Sequence, residues 1–314
     1  MLQYGASRNI CIIWKEGEQK LKIQFLNGGL ANQTFQYIFA RYFELSHPGE
    51  FMYMDDTYFA LHNVHNGYEL EKVFGIRPHM LSECFDETVW NAILAEEKDG
   101  KSIPQIFGEN QIGIQMITET DNYRDFNPFY GSVYAVPNNE YYPEIMDVPG
   151  NIYYHGYWIN RKWFGKYQDI FLQELSFPEI TDRKNLRYLE LIRNSPSVCI
   201  HVRRGDYVTL GWELNPEIYQ WGVKTFVRQV PGTWHLFVFS DDIGWCREHA
   251  SELGFDYFSE VTFVEGNVQG NSYLDLQLMT KCQAMIVSNS AFSYLAALLN
   301  PDRQYTLNLS DRKL

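Results

Sequence analysis

The chain has 314 residues, of which 45% are hydrophobic and 21% are charged, a composition typical of a globular protein with one large domain or two ordinary ones. Its net charge of −13 disfavours a nucleic-acid binder, which needs a basic face, and a polybasic membrane anchor. The same charge is compatible with a phosphate ligand held by a few local arginines. Aromatic residues make up 16%, enough to supply sugar-stacking faces or simply to fill a core.

The cysteines and the apolar tracts of the sequence indicate the cellular compartment in which the protein is expected to fold. Five cysteines stand at positions 11, 84, 199, 246 and 282, without a CxxC pair, which favours unpaired thiols in a reducing compartment. The apolar run at 10–14 is too short for a signal peptide, and the tract at 284–299 is interrupted by polar residues. We therefore expect a soluble, cytoplasmic protein without a transmembrane segment; peripheral attachment to the inner face of the membrane is an open alternative.

The first half of the chain predicts one clear unit followed by less regular sequence. Residues 1–20 are read as an extension before the first core element. Residues 21–26 alternate like a strand, a glycine turn follows, and 30–45 carry apolar residues at helical spacing. Further helices are predicted at 68–74 and 86–98, and loops with short strands over 108–150. Residues 152–158 are typical of a strand that runs into a loop, and helices are predicted at 166–175 and 182–193.

From residue 197 onward, strands and helices alternate. Strands are predicted at 197–202, 234–239, within 256–265 and at 284–287, and helices at 216–229, 243–253, 274–282 and 292–299. This alternation indicates a parallel sheet wrapped on both faces. We place a domain boundary near residue 190, which gives domains 1–190 and 191–314.

The stretch HVRRGDY (201–207) places two arginines directly after a buried-looking strand, where Gly205 and Asp206 are expected to begin a loop. Neighbouring side chains of an extended chain point to opposite faces, so Arg203 and Arg204 should not grip the same group. We expect one to reach a ligand, because a guanidinium binds phosphate with two parallel hydrogen bonds, and the other to turn to an internal carboxylate. A pair held wholly by structural salt bridges is the alternative.

Two further strand ends carry polar residues. FSDD (239–242) offers carboxylates that could accept hydrogen bonds from a base or a ribose, or could cap the following helix. SNSAFS (288–293) offers hydroxyls and backbone N–H groups to a phosphate, or again a helix cap. Because the carboxyl ends of parallel strands form the ligand site of open α/β sheets, the three strand ends together predict a nucleotide diphosphate site.

The N-terminal glycine turn and the absence of several known motifs limit which nucleotide-binding and metal-binding sites the chain can form. NGGLANQ (27–33) is not a GxGxxG motif, and no GxxxxGK[ST] motif exists, so it is either a loop near a ligand or a plain turn. There is no Asp-x-Asp pair, which metal-dependent sugar transferases usually need, and no HExxH or Cys/His metal spacing. If a diphosphate leaves here, arginine is expected to neutralise it. His201, inside a strand, is either a packed core residue or a ligand contact.

The motifs, in this order, resemble those of the α-1,2-fucosyltransferase family, inverting enzymes that use GDP-fucose. LNGGLANQTFQY is similar to the family's GGLGNQMFQYA, HVRRGDY to its HxRRxDY, and GYWINRKWF to GYWQSEKYF; FSDDIGW and DLQLMTKCQAMIVSNSAFSYLAALLN resemble its third and C-terminal motifs. The resemblance runs from about residue 26 to 300, nearly the whole chain. The departures at Ala31, Thr34, Ile159, Ala284 and Tyr294-Leu295 bear on the acceptor more than on the donor, because the arginine motif is intact.

The resemblance implies an α/β, GT-B-like architecture of two facing α/β domains with parallel sheets. The N-terminal domain would be on the acceptor side, and the C-terminal, Rossmann-like domain would bind GDP-fucose. It implies that Arg203 contacts the diphosphate with support from His201 and Arg204, that Asp241 or Asp242 reads guanine or ribose, and that loop 28–33 closes over the reaction centre. The substrate-binding candidates are Asn27, Gly28, Gly29, Asn32, Gln33, His201, Arg204, Asp241, Asp242, Asn289, Ser290, Ala291 and Phe292.

The expected reaction is a single displacement in which O2 of a terminal β-galactoside attacks C1 of fucose as GDP departs, for surface glycan or oligosaccharide synthesis. The catalytic candidates are Arg203, which offsets the growing negative charge, and Asp206 as the base. Glu213 is the next choice of base, and Asp206 could instead pair with Arg204. No cofactor and no metal are expected, the partners being GDP-fucose and the glycan acceptor, and the source is expected to be bacterial.

Two other classes of protein stay open at this point. A non-catalytic carbohydrate-binding protein would use the aromatic residues without affinity for GDP. A glycoside hydrolase acting on fucosides would need two carboxylates across a sugar and no nucleotide. Thermal stabilisation by GDP separates the transferase from both.

Overall fold

The computed structural model describes residues 20–121 and 133–311. The chain divides into two compact units, Met1–Gln173 and Glu174–Leu314. Our sequence boundary near 190 falls later because it leaves the helix predicted at 182–193 in the first domain, whereas that helix packs within the second unit. The predicted extension, apart from residue 20, and Cys11 lie outside the described residues.

The first unit is built around a five-stranded sheet. Its strands are β1 (Lys22–Phe25), β2 (Tyr53–Asp55), β3 (Gln115–Glu119), β4 (Val133–Val136) and β5 (Ile152–His155). Its helices are α1 (Leu30–Ser46), α2 (Thr57–Leu61), α3 (Leu70–Phe74), α4 (Glu87–Lys98), α5 (Ile103–Glu109), α6 (Arg161–Gly165) and α7 (Gln168–Glu174). The strand order is β2-β1-β5-β3-β4 and every pairing is parallel, so all five carboxyl ends share one edge.

Helix α1 is the longest helix of the first unit that the structure describes. It forms because one of its faces is apolar and packs into the core of that unit. Phe35, Ile38, Phe39 and Phe43 are buried at helical spacing. Phe39 stacks on Trp158 with ring centroids 4.2 Å apart and meets Trp163 edge-on. Much of the high aromatic content is therefore core.

The second unit has the strand–helix alternation that the sequence predicts. Its strands are β6 (Ser197–Val202), β7 (His235–Ser240), β8 (Glu260–Phe263), β9 (Ala284–Val287) and β10 (Tyr305–Asn308). Its helices are α8 (Arg183–Arg193), α9 (Gly205–Leu210), α10 (Pro216–Gln229), α11 (Ile243–Glu248), α12 (Tyr273–Met279) and α13 (Ala291–Leu298). Helix α8 packs against α12, which places it in this unit.

The sheet of the second unit has the order β10-β9-β6-β7-β8, again with every pairing parallel. Strand β6 lies in the middle and all six of its residues are buried, as its apolar, β-branched sequence requires. The chain builds outward from β6 through β7 to β8 and then returns to place β9 on the opposite side of β6. The reversal of strand order therefore lies between β6 and β9, and such a reversal opens a crevice at the carboxyl ends of the strands.

The prediction of two α/β domains with parallel sheets is confirmed, and the long elements lie where they were predicted. Strands β2 and β10 and helices α2, α5, α6 and α9 were not predicted, because each has only three to seven residues and no periodicity develops over so few. Within the part of the chain that the structure describes, no helix is long and apolar enough to cross a bilayer.

Candidate functional site

The candidate site lies at the carboxyl end of β6, where Arg203 and Arg204 follow the last residue of the strand. The flanking strands end in the other two predicted polar segments, since β7 ends at Ser240 and β9 at Val287. The three polar segments that the sequence singled out are thus brought together on one sheet edge, at the reversal of strand order. We call Arg203, Arg204, Asp206, Asp241 and Asp242 the arginine–aspartate cluster.

Arg203 is held between two carboxylates. Its Nη2 lies 2.6 Å from Oδ1 of Asp206, and its Nη1 lies 2.9 Å from Oδ2 of Asp241. The Arg203 side chain is 29% exposed and that of Asp206 is 49% exposed, so both can be reached from solvent. The side of the guanidinium that could grip a diphosphate is therefore occupied by two carboxylates of the protein.

Arg204 turns to a different partner, as the alternation of side chains along an extended backbone predicts. Its Nε lies 3.3 Å from Oδ2 of Asp242, and its guanidinium lies 3.7 Å above the centre of the Trp245 ring. Arg204 and Arg203 do not grip the same group. Both arginines, however, form ion pairs within the protein. Asp206 pairs with Arg203, whereas the alternative in the sequence analysis was that it pairs with Arg204.

The two aspartates after β7 are tied to this framework. Oδ1 of Asp241 accepts the backbone N–H of Arg204 at 2.8 Å, while Oδ2 pairs with Arg203. Oδ1 of Asp242 caps helix α11 by accepting the backbone N–H of Trp245 at 3.2 Å. The capping role weighed for one of these residues falls on Asp242, and the Asp241 carboxylate fixes the turn that presents the arginines.

Gly205 allows Asp241 to come this close. A Cβ atom at this position would lie 2.5 Å from Oδ2 of Asp241. Gly205 also begins helix α9, which ends at Gly211 in the left-handed region with φ of 68°. The segment after the arginines was expected to be a loop and is instead this short helix, whose six residues give too little periodicity to be recognised from sequence.

His201 is buried and joins β6 to the segment after β9. Its Nδ1 lies 3.1 Å from the Ser288 hydroxyl, and its ring lies 5.5 Å from that of Phe292 at a tilt. Burial and the nearby Arg203 lower the pKa of His201 to about 3, so the imidazole is neutral. His201 is thus a packed core residue that supports the strand ends.

The segment after β9 uses several of its polar groups within the protein. The Ser290 hydroxyl accepts the Phe292 backbone N–H at 3.3 Å and caps helix α13. The exposed Asn289 donates its side-chain amide to the Trp212 carbonyl at 2.8 Å. Ala291 and Phe292 are half-buried and lie in the first turn of α13.

Two aromatic side chains of this site were not among the predicted residues. The Arg203 guanidinium lies 5.3 Å from the centre of the Tyr207 ring, and the Tyr207 phenol interacts with the Ser290 hydroxyl. Trp245 carries the Arg204 guanidinium on its face. Both residues lie inside the motifs HVRRGDY and FSDDIGW. The sequence signal that could have identified them is their spacing, since Tyr207 follows Arg203 by four positions and Trp245 follows Asp242 by three.

Glu213, the alternative base, differs from Asp206 in its surroundings. Its Oε2 is buried and has no hydrogen-bond partner among the residues that the structure describes. Buried carboxylate oxygens are seldom left without a partner, and this distinguishes Glu213 from the ion-paired Asp206.

The glycine turn of the first unit, at 27–33, holds five of the predicted substrate-binding residues, and their surroundings differ from one to the next. Gly28 adopts φ of 78°, a conformation that favours glycine, and Gly29 is half-buried. Asn27 is bound by the buried Gln36, whose amide donates to Oδ1 of Asn27 at 2.7 Å.

The next two candidates of the turn contrast with each other. Asn32 is half-exposed and lies in the first turn of α1. Gln33 is fully buried, and its amide nitrogen donates to the carbonyls of Gly28 and Gly67, both at 2.9 Å. Gln33 therefore joins two loops of the first unit and has no free donor for a substrate.

Among residues 20–121 and 133–311, no group of three or more histidine, cysteine, aspartate or glutamate side chains is placed to hold a metal ion. The four cysteines in these ranges, Cys84, Cys199, Cys246 and Cys282, are free thiols.

Comparison with known proteins places this geometry in a family context. The family model described as glycosyl transferase family 11 matches residues 113–311, more than half of the chain and including every element from β3 to β10.

Three curated relatives are similar in sequence. An α-1,2-colitosyltransferase of Escherichia coli is 31% identical over 160 residues, which cover 49% of this chain and 52% of that protein. The O-antigen biosynthesis glycosyltransferase WbnK of Escherichia coli is 25% identical over 88% of this chain and 89% of its own length. Galactoside α-(1,2)-fucosyltransferase 2 of Pongo pygmaeus is 30% identical over 37% of this chain and 35% of its own length. The chain thus spans about half or less of the first and third of these relatives.

A solved structure of an Arabidopsis thaliana FUT1 variant in complex with GDP is similar in fold. The match has a TM-score of 0.50 and 13% sequence identity, and it covers 93% of this chain and 71% of that chain. At this identity the likeness concerns the fold alone.

Proposed function

Because the chain belongs to glycosyl transferase family 11, we propose that it transfers L-fucose from GDP-fucose to O2 of a terminal β-galactoside, forming an α-1,2 linkage without a metal ion. The observation that carries this proposal is the position of Arg203, solvent-accessible and at the reversal of strand order in the second unit. The motif resemblance to α-1,2-fucosyltransferases and the galactoside α-(1,2)-fucosyltransferase relative support the donor and the linkage.

The donor diphosphate takes the place of carboxylates on Arg203. A guanidinium offers two parallel N–H groups, which now point at Asp206 and Asp241, and a pyrophosphate oxygen pair accepts the same geometry. The Ser288 and Ser290 hydroxyls, at the end of β9 beside β6, are near enough to His201 and Tyr207 to belong to the same site. Arg204 stays with Asp242 and Trp245 and holds the turn.

The chemistry follows from where charge develops. As the bond between fucose C1 and the diphosphate oxygen breaks, negative charge grows on GDP, and Arg203 is positioned to offset it. The acceptor O2 forms the new bond to C1, and its proton passes to a carboxylate. Asp206 is our choice for this base, since displacement by the diphosphate frees it beside the reaction centre; Glu213, with its unpartnered oxygen, is the second choice.

The central experiment incubates the purified protein with GDP-fucose and a panel of β-galactosides and determines the linkage of any product. An α-1,2-linked fucoside is expected, together with a rise in melting temperature on addition of GDP. A protein that GDP does not stabilise, and that transfers nothing from GDP-fucose, would refute the proposal.

The test variant is Arg203→Ala, with Arg77→Ala as its control. Arg203→Ala should abolish both GDP stabilisation and transfer without loss of the fold. Arg77 is also paired with a carboxylate, that of Glu71, but it is largely exposed and belongs to the first unit, so its loss should change neither. Near-normal GDP affinity and turnover of Arg203→Ala would remove Arg203 from the mechanism.

A second candidate donor follows from one relative. The similarity to an α-1,2-colitosyltransferase favours colitosyl transfer as the alternative within the same linkage type. The donor panel should therefore include nucleotide-activated colitose beside GDP-fucose, and the larger kcat/KM identifies the donor.

A further inference from the structure

Helix α8 of the second unit has an outer face that neither the core nor the site around Arg203 uses. The helix buries Asn185 and Ile192 and packs against α12. On the opposite side, Arg183 and Arg187 follow each other by one turn, and both are exposed. We call Arg183, Leu186, Arg187, Leu191 and Arg193 the α8 outer face.

The three arginines of this face have no carboxylate partner among the residues that the structure describes. Elsewhere in the described chain, Arg77 and Arg247 each pair with a glutamate. Glu190 lies three residues from both Arg187 and Arg193, which is the spacing of an ion pair within a helix, and it pairs with neither. The guanidinium groups on the outside of α8 are therefore free to bind a partner from outside the protein.

The charge of α8 also differs from that of the whole chain. The helix has four basic residues and one acidic residue, with Asp182 at its N-cap, whereas the net charge of the chain is −13. The fourth basic residue, Lys184, is turned inward, because its Nζ donates to Oδ1 of Asn267 at 2.8 Å. The arginines thus form a local positive surface on an acidic protein, and such a surface attracts an anionic partner.

Two leucines on the same face indicate what kind of anion this partner carries. Leu186 is 44% exposed and Leu191 is 39% exposed, and they flank the arginines on either side. A nucleic acid offers phosphates but nothing that would cover leucines. A phospholipid bilayer offers phosphates at its surface and acyl carbon directly beneath them, so it matches both kinds of side chain.

From this pattern we infer that the α8 outer face docks on a bilayer surface that contains anionic phospholipid. Arg183, Arg187 and Arg193 bind headgroup phosphates, to which a guanidinium can donate two parallel hydrogen bonds. Leu186 and Leu191 enter the boundary between headgroups and acyl chains. The inference does not depend on the proposed function, because it needs neither a sugar donor nor an acceptor.

The position of α8 gives this docking a consequence for the site in the same unit. The first turn of α8 reaches Asn267, which follows β8, through the hydrogen bond from Lys184. Because the strands of the second sheet are parallel, this is also the edge at which Arg203 follows β6. A protein docked through α8 therefore keeps the sheet edge with Arg203 close to the bilayer.

Sedimentation with vesicles tests the inference on the full chain. The protein should sediment with vesicles made of equal parts of phosphatidylglycerol and phosphatidylcholine, and not with vesicles of phosphatidylcholine alone. High salt should release it, because salt screens the attraction between exposed charges. Replacing the three arginines with glutamine should weaken binding about 100-fold, at about fivefold for each arginine near an anionic surface.

The control is a second triple variant with the same change in net charge. Lys224→Gln, Arg228→Gln and Lys281→Gln remove three exposed basic residues of the same unit that lie outside α8. This variant should bind the anionic vesicles almost as the wild type does. Since all six replaced side chains are exposed, both triple variants should keep the melting temperature of the wild type, and any stabilisation by GDP should be the same in all three proteins.

A variant that gains affinity tests the position of the leucines. Leu186→Trp should strengthen binding to the anionic vesicles several-fold, because tryptophan favours the interface between headgroups and acyl chains. Tyr257→Trp places the same ring at another exposed position of the second unit and should have no effect.

Three outcomes would overturn the inference. The first is a wild-type protein that does not sediment with anionic vesicles, and the second is equal weakening of binding in the two triple variants. The third is self-association of the wild type that the α8 triple variant loses, without vesicle binding, since the face would then belong to a contact with an acidic protein surface. Vesicle binding that depends on α8 supports the inference whether or not GDP binds or any sugar is transferred.

Discussion

At the scale of single residues, the state of Arg203 decides how the site around it works. Two guanidiniums face three carboxylates in the arginine–aspartate cluster, so its formal charge is negative by one before a ligand binds. A diphosphate must therefore compete with Asp206 and Asp241 for Arg203, because the guanidinium is already paired in the unliganded protein. Exposed ion pairs of this kind contribute little free energy each, which makes the exchange feasible.

Asp206→Asn should separate competition for Arg203 from catalysis. Removing one competing carboxylate should raise GDP affinity about threefold, the equivalent of a solvent-exposed ion pair. If Asp206 is the base, the same change should lower kcat about 100-fold or more. Calorimetric titration with GDP and steady-state rates measure the two effects, and Asp302→Asn, at an exposed residue of the same unit, serves as the control.

Unchanged GDP affinity in Asp206→Asn would contradict the competition. A normal kcat together with tighter binding would transfer the role of base to Glu213, and Glu213→Gln then becomes the informative variant.

His201 should make the protein less stable in acid. Its pKa is about 3 in the folded protein against 6.5 when unperturbed, so below pH 6.5 the unfolded chain takes up a proton that the folded chain refuses. Its contribution to stability is thus complete above pH 6.5 and is lost as the pH falls toward 3. Between about pH 7 and pH 5 the loss should be about 2 kcal/mol.

The measurement is urea unfolding of the wild type and of His201→Asn at both pH values. Asparagine can keep a hydrogen bond to Ser288 but does not titrate, so the variant should lose about 2 kcal/mol less than the wild type. Equal losses in the two proteins would mean that His201 is protonated in the fold.

The sequence predicted the residues of this site better than their roles. It identified the three strand ends and the divergence of Arg203 from Arg204, because alternation along a strand is a property of the backbone. It could not show that Gln33 is buried between two loops or that Asp242 caps a helix, since one polar side chain serves either purpose. Tyr207 was missed because it lies on helix α9, which is too short to recognise, and Trp245 was missed because its contact with Arg204 joins segments that are far apart in the sequence.

At the scale of elements, the turn from β6 into α9 is where substitution should matter most. In Gly205→Ala, the new Cβ would lie 2.5 Å from Asp241 and push it away from Arg203 and from the Arg204 backbone. We expect GDP affinity to fall about tenfold, because the lost hydrogen bond from the Arg204 backbone to Asp241 loosens the turn that presents Arg203, and this outweighs the loss of one competing carboxylate; the loss of thermal stability should be smaller. Differential scanning fluorimetry with increasing GDP measures both.

The control is Gly108→Ala. Gly108 lies in helix α5, and a Cβ there would meet nothing within 4 Å. It should leave GDP affinity unchanged and should stabilise the fold slightly, because alanine is the better helix former. Equal behaviour of the two variants would show that Asp241 can move without consequence.

The elements that sequence located correctly are those with long patterns. Strand β6 and helices α1 and α10 have six, 17 and 14 residues, and each lies where it was predicted. The helix predicted at 243–253 ends at Glu248 instead, because apolar residues beyond it belong to turns packed against the core. Tertiary contacts, which no local pattern encodes, decide such ends.

At the scale of the whole molecule, the family recognised from the order of motifs is confirmed by the family match, and the two parallel α/β sheets are confirmed by the structure. Strand alternation predicted the second sheet well. The first sheet was only partly predictable, because β2 and β4 are three and four residues long and lie among irregular segments. The division of the chain after Gln173 depends on where helix α8 packs, and its sequence alone does not specify that.

Metal independence is the prediction that concerns the entire protein. In the proposed mechanism Arg203 takes the role that a divalent metal ion has in metal-dependent transferases. Transfer by protein that has been treated exhaustively with a chelator should therefore proceed at the rate of the untreated protein, and added magnesium or manganese should not raise this rate. Radiolabelled transfer from GDP-fucose is a sufficient measurement. An inert chelated protein that either metal revives would contradict the mechanism.

The crowded surroundings of Arg203 have one more consequence. Since Asp206 and Asp241 already serve as its counter-ions, the arrival of a nucleotide is an ion exchange inside the protein, and few dissolved ions are released to the medium. Raising the ionic strength should therefore weaken GDP binding only gently, whereas a pocket of bare arginines would lose affinity steeply.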